Sequence, residues 1–383
     1  MRRRRTCFLS YGSTEYSRNS EASVLQHYAV AIRDALNRAG MHKKEIQGLS
    51  ITTQASPDFA PHVAEQLGFE LDWVLNGDYG GAGGVGSVRR AADAIECGHI
   101  DVALLVGGNA FDRSVSSQRP LEYQRGNFVD VYGYGGPNSL MALIQRLDME
   151  NFGTTLEQTG KIALAQRFNA LNNPQALFRQ PMTMHDYLNS RMISDPIRLF
   201  DCVMPCSGAE CVILASEEKT KQFTDKMVYL VTDAERIHYQ LGNMLPDKTT
   251  FGMKLVGDRL FSEVKREDID LCEIYDDYPI AVLIQIEDLG FCKKGEGGKF
   301  VDAHDLTYNG DFPVNTGGGE ISVGQAGLAG GFLHIVEALR QLRGEAEGHQ
   351  VKKAERALVT GIGWLNYGRN LGTTAGLVME RTN

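Results

Sequence analysis

The sequence contains no apolar run of about 20 residues, the length that a helix needs to cross a bilayer. Its basic start, MRRRR, is not followed by the apolar segment of a signal peptide. Acidic residues outnumber basic ones, 48 to 39, for a net charge of −9. Because nucleic-acid binding depends on a clustered basic surface, this balance disfavours that class of protein. We therefore expect a cytoplasmic protein that binds neither a membrane nor nucleic acid.

Cysteine is also scarce. The seven cysteines are an odd number without the regular spacing of a disulfide framework, which is typical of reduced cytosolic thiols. Cys202 and Cys206 are close in sequence, but no second pair of ligands follows them, so the sequence predicts no metal site.

A glycine-rich segment lacks the side chain that such segments usually carry. NGDYGGAGGVGSVRRAADAIECGHID, residues 76–101, runs from a turn into a helix whose apolar residues fall on one face. Turns of this kind present a nucleophile or cradle a phosphate, yet this one has neither a cysteine nor a P-loop lysine. It offers Asp78, Tyr79 and the backbone amides of a helix start, which carry partial positive charge. We therefore expect the functional part of the segment at the N-terminal end of its helix.

The order of predicted elements occurs twice. The first half runs from strand TCFLSYG through a helix, a strand and the glycine-rich segment to strand AECVILAS. The second half repeats this order from MVYLVTDA to TAGLVMER, with NTGGGEISVGQAGLAGG as its glycine-rich segment. The similar stretches KKEIQGLSI and REDIDLCEI support a duplication. Alternating strands and helices predict an α/β protein with a mixed, largely parallel sheet, divided into halves 1–225 and 226–383.

Residues 114–195 interrupt the first half with an irregular run and two weak helical stretches. An insertion of this length in a compact fold is usually a lid or a binding region. The alternative is that part of it packs as an additional helical layer.

Several of these motifs, in this order, resemble the thiolase superfamily. They are the duplicated halves, the helix-opening glycine turn, IEDLGFCKKGEGG, SGAECVILAS and NTGGGEISVGQAGLAGGFLHIVEALRQLRG. The nearest branch is that of the sterol-carrier-protein-type thiolases, and the resemblance covers nearly the whole chain. It implies the thiolase fold, a five-layered αβαβα arrangement of two pseudo-symmetric halves, and a homodimer.

The resemblance also shows what has changed at the reactive positions. Where the family has a nucleophilic Cys before a buried helix, this chain has Gly81, or Ala82 within one residue. The Asn/His-Glu/Asp-x-Phe segment is YDDY, led by Tyr275, and the Gly-His-Pro motif is GQA, with Gln325 in place of His. The C-terminal loop TGIGWLNYGRNLG has no Cys but contains Tyr367. Acyl transfer through a covalent thioester requires a thiolate and a base, so the ordinary thiolase step is excluded unless another cysteine moves in.

The other cysteines are poor substitutes. Cys97 is expected on the order of 20 Å from the turn, at the far end of a helix that rises about 1.5 Å per residue. Cys202, Cys206 and Cys211 lie at the edge of the last strand of the first half.

The remaining groups still predict a reactive pocket. Strand alternation places Tyr275 and Asp277 on one side, and Asp276 and Tyr278 on the other. A helix start nearby is expected to lower the pKa of Tyr275, so that Tyr275 or an Asp acts as general base.

Three further groups complete the predicted site. The Gln325 amide is expected to donate to a developing enolate or to orient water, and Tyr367 is a further candidate. The amides of Gly81 and Ala82 are expected to form an oxyanion hole for the enolate. His334, on the apolar stripe of its helix, is expected to be structural.

A pocket that holds a thioester enolate but lacks a nucleophile suits retro-aldol cleavage of a β-hydroxyacyl-CoA to a shorter acyl-CoA and an aldehyde or ketone. In these substitutions the chain resembles the thiolase-like aldolases of steroid and bile-acid side-chain degradation. That resemblance implies a Tyr base at Tyr275 and a second Tyr at the position of Gln325, where this chain departs. It also implies a small partner with an OB-fold and often a zinc ribbon. CoA is expected as part of the substrate, with no covalently bound cofactor.

Two alternatives remain open at this point. One is a thiolase or Claisen-type acyltransferase that uses chemistry without cysteine, or a cysteine from a partner chain. It would release free thiol, whereas retro-aldol cleavage does not. The other is a catalytically silent subunit that binds acyl-CoA or lipid within a complex.

Overall fold

A computed structural model describes residues 4–52, 59–77, 79–111, 131, 133, 136–240, 242, 247–363 and 370–382. The strands in these ranges are β1 (Thr6–Ser13), β2 (Gly48–Thr52), β3 (Trp73–Gly77), β4 (Val102–Asn109), β5 (Met192–Ser194), β6 (Ile197–Arg198), β7 (Gly208–Ser216), β8 (Met227–Ile237), β9 (Leu271–Glu273), β10 (Arg356–Gly363) and β11 (Thr373–Thr382). The helices are α1 (Val24–Ala39), α2 (Ala60–Leu67), α3 (Gly83–Glu96), α4 (Pro137–Phe152), α5 (Leu156–Ala170), α6 (Met184–Leu188), α7 (Glu217–Thr220), α8 (Met253–Leu260), α9 (Pro279–Asp288), α10 (Gly297–Ala303), α11 (Gly319–Val323) and α12 (Gly330–Arg343). No helix among these residues is long and apolar enough to cross a bilayer.

The large sheet repeats one pattern of strand pairing. Its order is β3-β2-β4-β7-β1-β8-β11-β10-β9. In the first half β2 is parallel to β4, β4 is antiparallel to β7, and β7 is antiparallel to β1. In the second half β9 is parallel to β10, β10 is antiparallel to β11, and β11 is antiparallel to β8. The two sets adjoin where Cys7 pairs with Tyr229.

The first helix illustrates why the local sequence folds in this way. Ser23 caps the start of α1 by accepting a hydrogen bond from the amide of Gln26, and the Gln26 side chain completes a capping box. Gly40 ends the helix with a φ of 63°, a left-handed conformation that favours glycine. The helix predicted after the first strand therefore forms, over Val24–Ala39.

Alternating residues along each strand define the layers. In β4, Leu104 packs with the core of α1 and α2, whereas Leu105 packs with the core of α3 and α12. In β10, Leu358 packs with the core of α8 and α9, whereas Val359 faces α3 and α12. The central helices α3 and α12 are thus covered on both sides by strands, and each set of strands is covered by outer helices. This confirms the predicted αβαβα arrangement.

The described part of the insertion forms a helical layer. Helices α4 and α5 occupy most of it, and one face of each is buried. The Gln166 side chain of α5 donates to a carboxylate oxygen of Asp276, at 3.0 Å, so this layer contacts the predicted site. Residues 114–130 of the insertion lie outside the described residues.

Candidate active site

The starts of the two central helices meet at one point. The turn Gly80–Ala82 leads into α3, and the turn Gly327–Ala329 leads into α12. A β-carbon on Gly84 would overlap the carbonyl oxygen of Gly331, so the two backbones approach each other as closely as only glycine permits. Each helix start carries partial positive charge, and the two therefore act on the same region.

The side-chain space at Gly81 is filled. A β-carbon on Gly81 would overlap Cζ of Tyr275 and the carbonyl oxygen of Ile362. The carbonyl oxygen of Gly81 packs against two other glycines. A β-carbon on Gly331 would lie 2.6 Å from this oxygen, and a β-carbon on Gly361 would lie 2.7 Å from it. The glycines of this turn therefore permit tight backbone packing, and the Tyr275 ring takes the place of any side chain at position 81.

The two amides predicted to bind an enolate differ. The Ala82 amide donates to the carbonyl oxygen of Tyr79 at 3.2 Å, within the turn itself. This corrects the expectation that both amides are available to a ligand. In a short helical turn, one backbone amide donates to a carbonyl oxygen three residues earlier, and here that amide is the one of Ala82. Gly81 is the one of the two that stays a candidate.

Tyr275, Asp277 and Gln325 converge as predicted. The amide of Tyr275 donates to Oγ1 of Thr360 at 3.0 Å, and its carbonyl oxygen accepts from Nε2 of Gln285 at 2.8 Å, which fixes the backbone. Nε2 of Gln325 donates to Oη of Tyr275 at 3.3 Å and to Oδ1 of Asp277 at 2.7 Å. Tyr275 is only 3% exposed, whereas Asp277 and Gln325 are half-buried. The accessible side of the cluster is therefore formed by Asp277 and Gln325.

The pKa of Tyr275 moves in the direction opposite to the prediction. Burial, followed by the carboxyl groups of Asp277 and Glu320, raises the pKa of Tyr275 well above its ordinary value. These effects on the pKa of Tyr275 outweigh that of the helix start. A phenolate is disfavoured both by the lack of solvent around it and by the negative charge of neighbouring carboxylates. Tyr275 is therefore a neutral phenol at pH 7. It can donate its proton, but it can accept another proton only if it passes its own to a neighbouring group at the same time.

Asp277 has a pKa suited to proton transfer. Burial and the neighbouring charge of Asp276 raise the pKa of Asp277 to about 6, although hydrogen bonds from its neighbours oppose the change. The group is thus mainly ionised at pH 7 but holds a proton more readily than an ordinary Asp. A general base is most effective when its pKa is close to the working pH.

The opposite side of the segment holds a buried ion pair. Asp276 accepts hydrogen bonds from the amides of Glu320 and Ile321, at 2.8 and 3.1 Å, and lies 3.1 Å from Nε2 of His334. Burial alone lowers the pKa of His334, but the adjacent carboxylates of Asp276 and Glu273 raise that pKa to about 9. His334 is therefore a buried imidazolium that supports the segment, and its nearest contacts are carboxylates.

Two carboxylates and one imidazole lie close together at this point, and such side chains can bind a metal ion. Their potential ligand atoms, on Asp276, Glu320 and His334, are all within 4.8 Å of one another. The carboxylate oxygens of Asp276 already accept three hydrogen bonds, from the amides of Glu320 and Ile321 and from the Gln166 side chain. These donors use the lone pairs that a cation would need.

The sequence interpretation missed Glu320. Its side chain is fully buried beside Asp277 and Tyr275, and burial raises its pKa well above the ordinary value. The signal was a single acidic residue inside the otherwise small and apolar segment NTGGGEISVGQAGLAGG.

Cys206 lies nearer to the site than its place in the sequence suggested. Its amide donates to the carbonyl oxygen of Gln325 at 3.0 Å, and its sulfur would be 3.0 Å from a β-carbon on Gly324. Burial, and then the charge of Glu320, raise the pKa of Cys206 to about 12, so it is a neutral thiol and a poor nucleophile.

The other candidates have different positions. Oη of Tyr278 donates to Oδ1 of Asn138 at 2.5 Å, which ties it to α4 rather than to Tyr275. Cys97 is exposed at the far end of α3. Tyr367 and Asp78 lie outside the described residues.

Comparisons with known proteins agree with this geometry. Residues 234–368 match the family described as thiolase C-terminal domain-like. The 17-hydroxy-3-oxo-4-pregnene-20-carboxyl-CoA lyase of Mycobacterium tuberculosis is 31% identical over 376 residues, covering 91% of this chain and 94% of the relative. The steroid side-chain-cleaving aldolase of Thermomonospora curvata is 30% identical over 362 residues, covering 87% and 89%. The solved Ltp2-ChsH2(DUF35) aldolase superposes with a TM-score of 0.85 at 28% identity and covers 98% of both chains.

Proposed function

The chain belongs to the thiolase superfamily, in its branch of thiolase-like aldolases, and from this membership we propose that it is a carbon–carbon lyase that cleaves a β-hydroxyacyl-CoA by a retro-aldol reaction. The products are a shorter acyl-CoA and an aldehyde or ketone. The names of the two aligned relatives, a carboxyl-CoA lyase and a side-chain-cleaving aldolase, support this reaction and a steroid substrate.

The proposed reaction needs one proton acceptor and one site for an enolate. The β-hydroxyl loses its proton, its oxygen forms a carbonyl at Cβ, and the Cα–Cβ bond breaks. The electron pair of that bond passes to Cα as the thioester enolate, which is then protonated at Cα. Tyr275 would contact the β-hydroxyl and Gln325 would orient it, while the Gly81 amide and the two helix starts would stabilise the enolate. Tyr367 remains a further candidate.

The observation that carries the proposal is the relation between Gly81 and Tyr275. A β-carbon at position 81 would overlap the Tyr275 ring, so a cysteine nucleophile does not fit at this position. The buried Tyr275 phenol occupies that space and accepts a hydrogen bond from Gln325.

One assay separates this function from the alternatives. The chain is incubated with β-hydroxyacyl-CoA thioesters, including one with a steroid side chain, and the products are resolved by mass spectrometry. An aldehyde or ketone together with a shortened acyl-CoA, without release of free thiol, is expected. Free thiol with a transferred acyl group would instead indicate acyl transfer, and binding without turnover a silent subunit.

We also propose a homodimer that acts in the cytoplasm and associates with a small OB-fold protein that often carries a zinc ribbon. The solved relative is itself named as a pair, Ltp2-ChsH2(DUF35), and this pairing supports a second chain. Co-expression with the adjacent small open reading frame, followed by size-exclusion chromatography, tests both the dimer and the complex.

A further inference from the structure

Three acidic groups meet at the start of α12. Oε1 of Glu320 lies directly against Gly330, and a β-carbon on that glycine would lie 3.4 Å from Oη of Tyr275. Gln325 joins Tyr275 to Asp277 through its two amide hydrogens. The Glu320 carboxyl, the Asp277 carboxyl and the Tyr275 phenol therefore surround one small volume.

The cation nearest to these groups in the described part of the chain is the His334 imidazolium, which lies within 4.8 Å of the Glu320 carboxyl but is paired with Asp276. Among the residues that the structure describes, neither Lys nor Arg forms an ion pair with Glu320 or Asp277. The oxygens of Glu320 are completely buried and form no hydrogen bond of ordinary geometry, although the carboxyl interacts closely with Asp277. Such a site cannot hold two negative charges, because neighbouring carboxylates without solvent repel each other strongly.

We propose that Glu320 and Asp277 share one proton, held mainly on Glu320, and that this pair positions Asp277 to accept the Tyr275 proton as Tyr275 takes up the proton of the substrate hydroxyl. The inference rests on the retro-aldol function proposed above and extends it to a residue that does not touch substrate.

Proton positions follow from this arrangement. In the proposed state Glu320 is the neutral acid and its proton lies toward the Asp277 carboxylate, which also accepts a hydrogen bond from Gln325. When the substrate hydroxyl loses its proton to Oη of Tyr275, the phenol passes its own proton to Asp277. Tyr275 is then again neutral, the two carboxyl groups hold two protons, and the negative charge is on the enolate. Protonation of the enolate, with loss of the Asp277 proton to solvent, restores the starting state.

Other ionisable groups also lie around the pair. One is the Asp276–His334 ion pair, whose ligand atoms lie within 4.8 Å of the Glu320 carboxyl, and one is the Cys206 thiol packed below Gly324. The remaining neighbour is Glu273, which accepts a hydrogen bond from Thr316 on the far side of His334. We expect the pair of Asp277 and Glu320 to take up its second proton near pH 6, the value to which the pKa of Asp277 is raised.

The experiment compares three variants in the full chain by their pH–rate profiles. Asp277→Asn removes the acceptor, and kcat is expected to fall at least about a hundredfold with little change in KM, together with loss of the acidic limb near pH 6. Glu320→Gln keeps a neutral donor of the same shape, and both kcat and the limb are expected to stay close to wild type. Glu320→Leu removes the donor, and the limb is expected to move to higher pH by about one unit, a tenfold change in proton affinity.

A purely structural role for Glu320 would give equal profiles for the Gln and Leu variants and would overturn the proposal. An infrared measurement needs no activity. Because burial also raises the pKa of Glu210 and of Asp288 to about 7, the band is read from the difference between wild type and Glu320→Gln at pH 7, in which wild type should show the additional carbonyl stretch of a buried protonated carboxylic acid. Absence of that band in wild type also overturns the shared proton. If the band is present but β-hydroxyacyl-CoA is not cleaved, the proposed retro-aldol function is wrong, whereas the proton shared by Glu320 and Asp277 is supported.

Discussion

The ring of Tyr275 lies where the side chain of residue 81 would extend, and Gly81 is therefore the only residue that fits. A β-carbon there would overlap Cζ of the ring on one side and the carbonyl oxygen of Ile362 on the other. The phenol and the missing side chain are two parts of one change. The space at position 81 is filled by the group that we propose moves the proton.

Replacing Gly81 with Ala should therefore destabilise the protein. Because the Ile362 contact is backbone, the chain cannot relieve it by a rotamer change, and a loss of about 2 kcal/mol or more in the free energy of unfolding is expected. Urea denaturation measures this, with Gly242→Ala as control, since none of the residues that the structure describes lies within 4 Å of a β-carbon at Gly242. Equal stabilities would show that the Tyr275 ring does not occupy this space.

Replacing Tyr275 with Phe should remove activity and preserve the fold. The ring keeps its packing against Gly81, but the hydroxyl that accepts from Gln325 is lost. We expect turnover of a β-hydroxyacyl-CoA to fall at least about a hundredfold, with a thermal midpoint close to that of wild type. Wild-type turnover in this variant would remove Tyr275 from the mechanism.

Much of this arrangement could be predicted from local patterns. The repeated order of elements gives the layers. Tyr275 and Asp277 do lie together, but β9 ends at Glu273, so the strand period from which their common side was predicted does not extend to them. The position of Glu320 could not be predicted, since it lies 45 residues beyond Tyr275 and its approach depends on how α11 packs. The predicted direction of the Tyr275 pKa shift is wrong for the same reason, because that pKa depends on carboxyl groups that different segments of the chain bring together. Cys206 approaches Gln325 only because Pro205 forms a bridge with Gln325.

Replacing His334 with Leu should destabilise the protein in a pH-dependent way. The change leaves Asp276 and Glu273 buried without their cation, and a loss of about 3–5 kcal/mol is expected at pH 6. The pKa of His334 is raised to about 9, so its stabilising effect is complete below about pH 6.5 and is lost as the pH rises through 9. Denaturation curves are measured at pH 6 and pH 9.5. The difference in the free energy of unfolding between variant and wild type should be smaller at pH 9.5. His99→Leu, on the surface, is the control and should change stability by less than about 0.5 kcal/mol at either pH. A difference that grows with pH would mean that His334 is neutral in the folded protein.

Replacing Cys206 with Ala tests whether sulfur takes part in the chemistry. Cys206 is the cysteine whose backbone bonds directly to Gln325, but burial keeps it as a thiol. Loss of a true nucleophile costs several orders of magnitude in kcat, whereas here a change of less than about threefold is expected. Intact mass spectrometry during turnover should show the unmodified chain, with Cys97→Ala as a control for the exposed thiol. A large loss of kcat in a folded Cys206→Ala protein, or an acyl adduct on wild type that this variant lacks, would return the reaction to covalent acyl transfer.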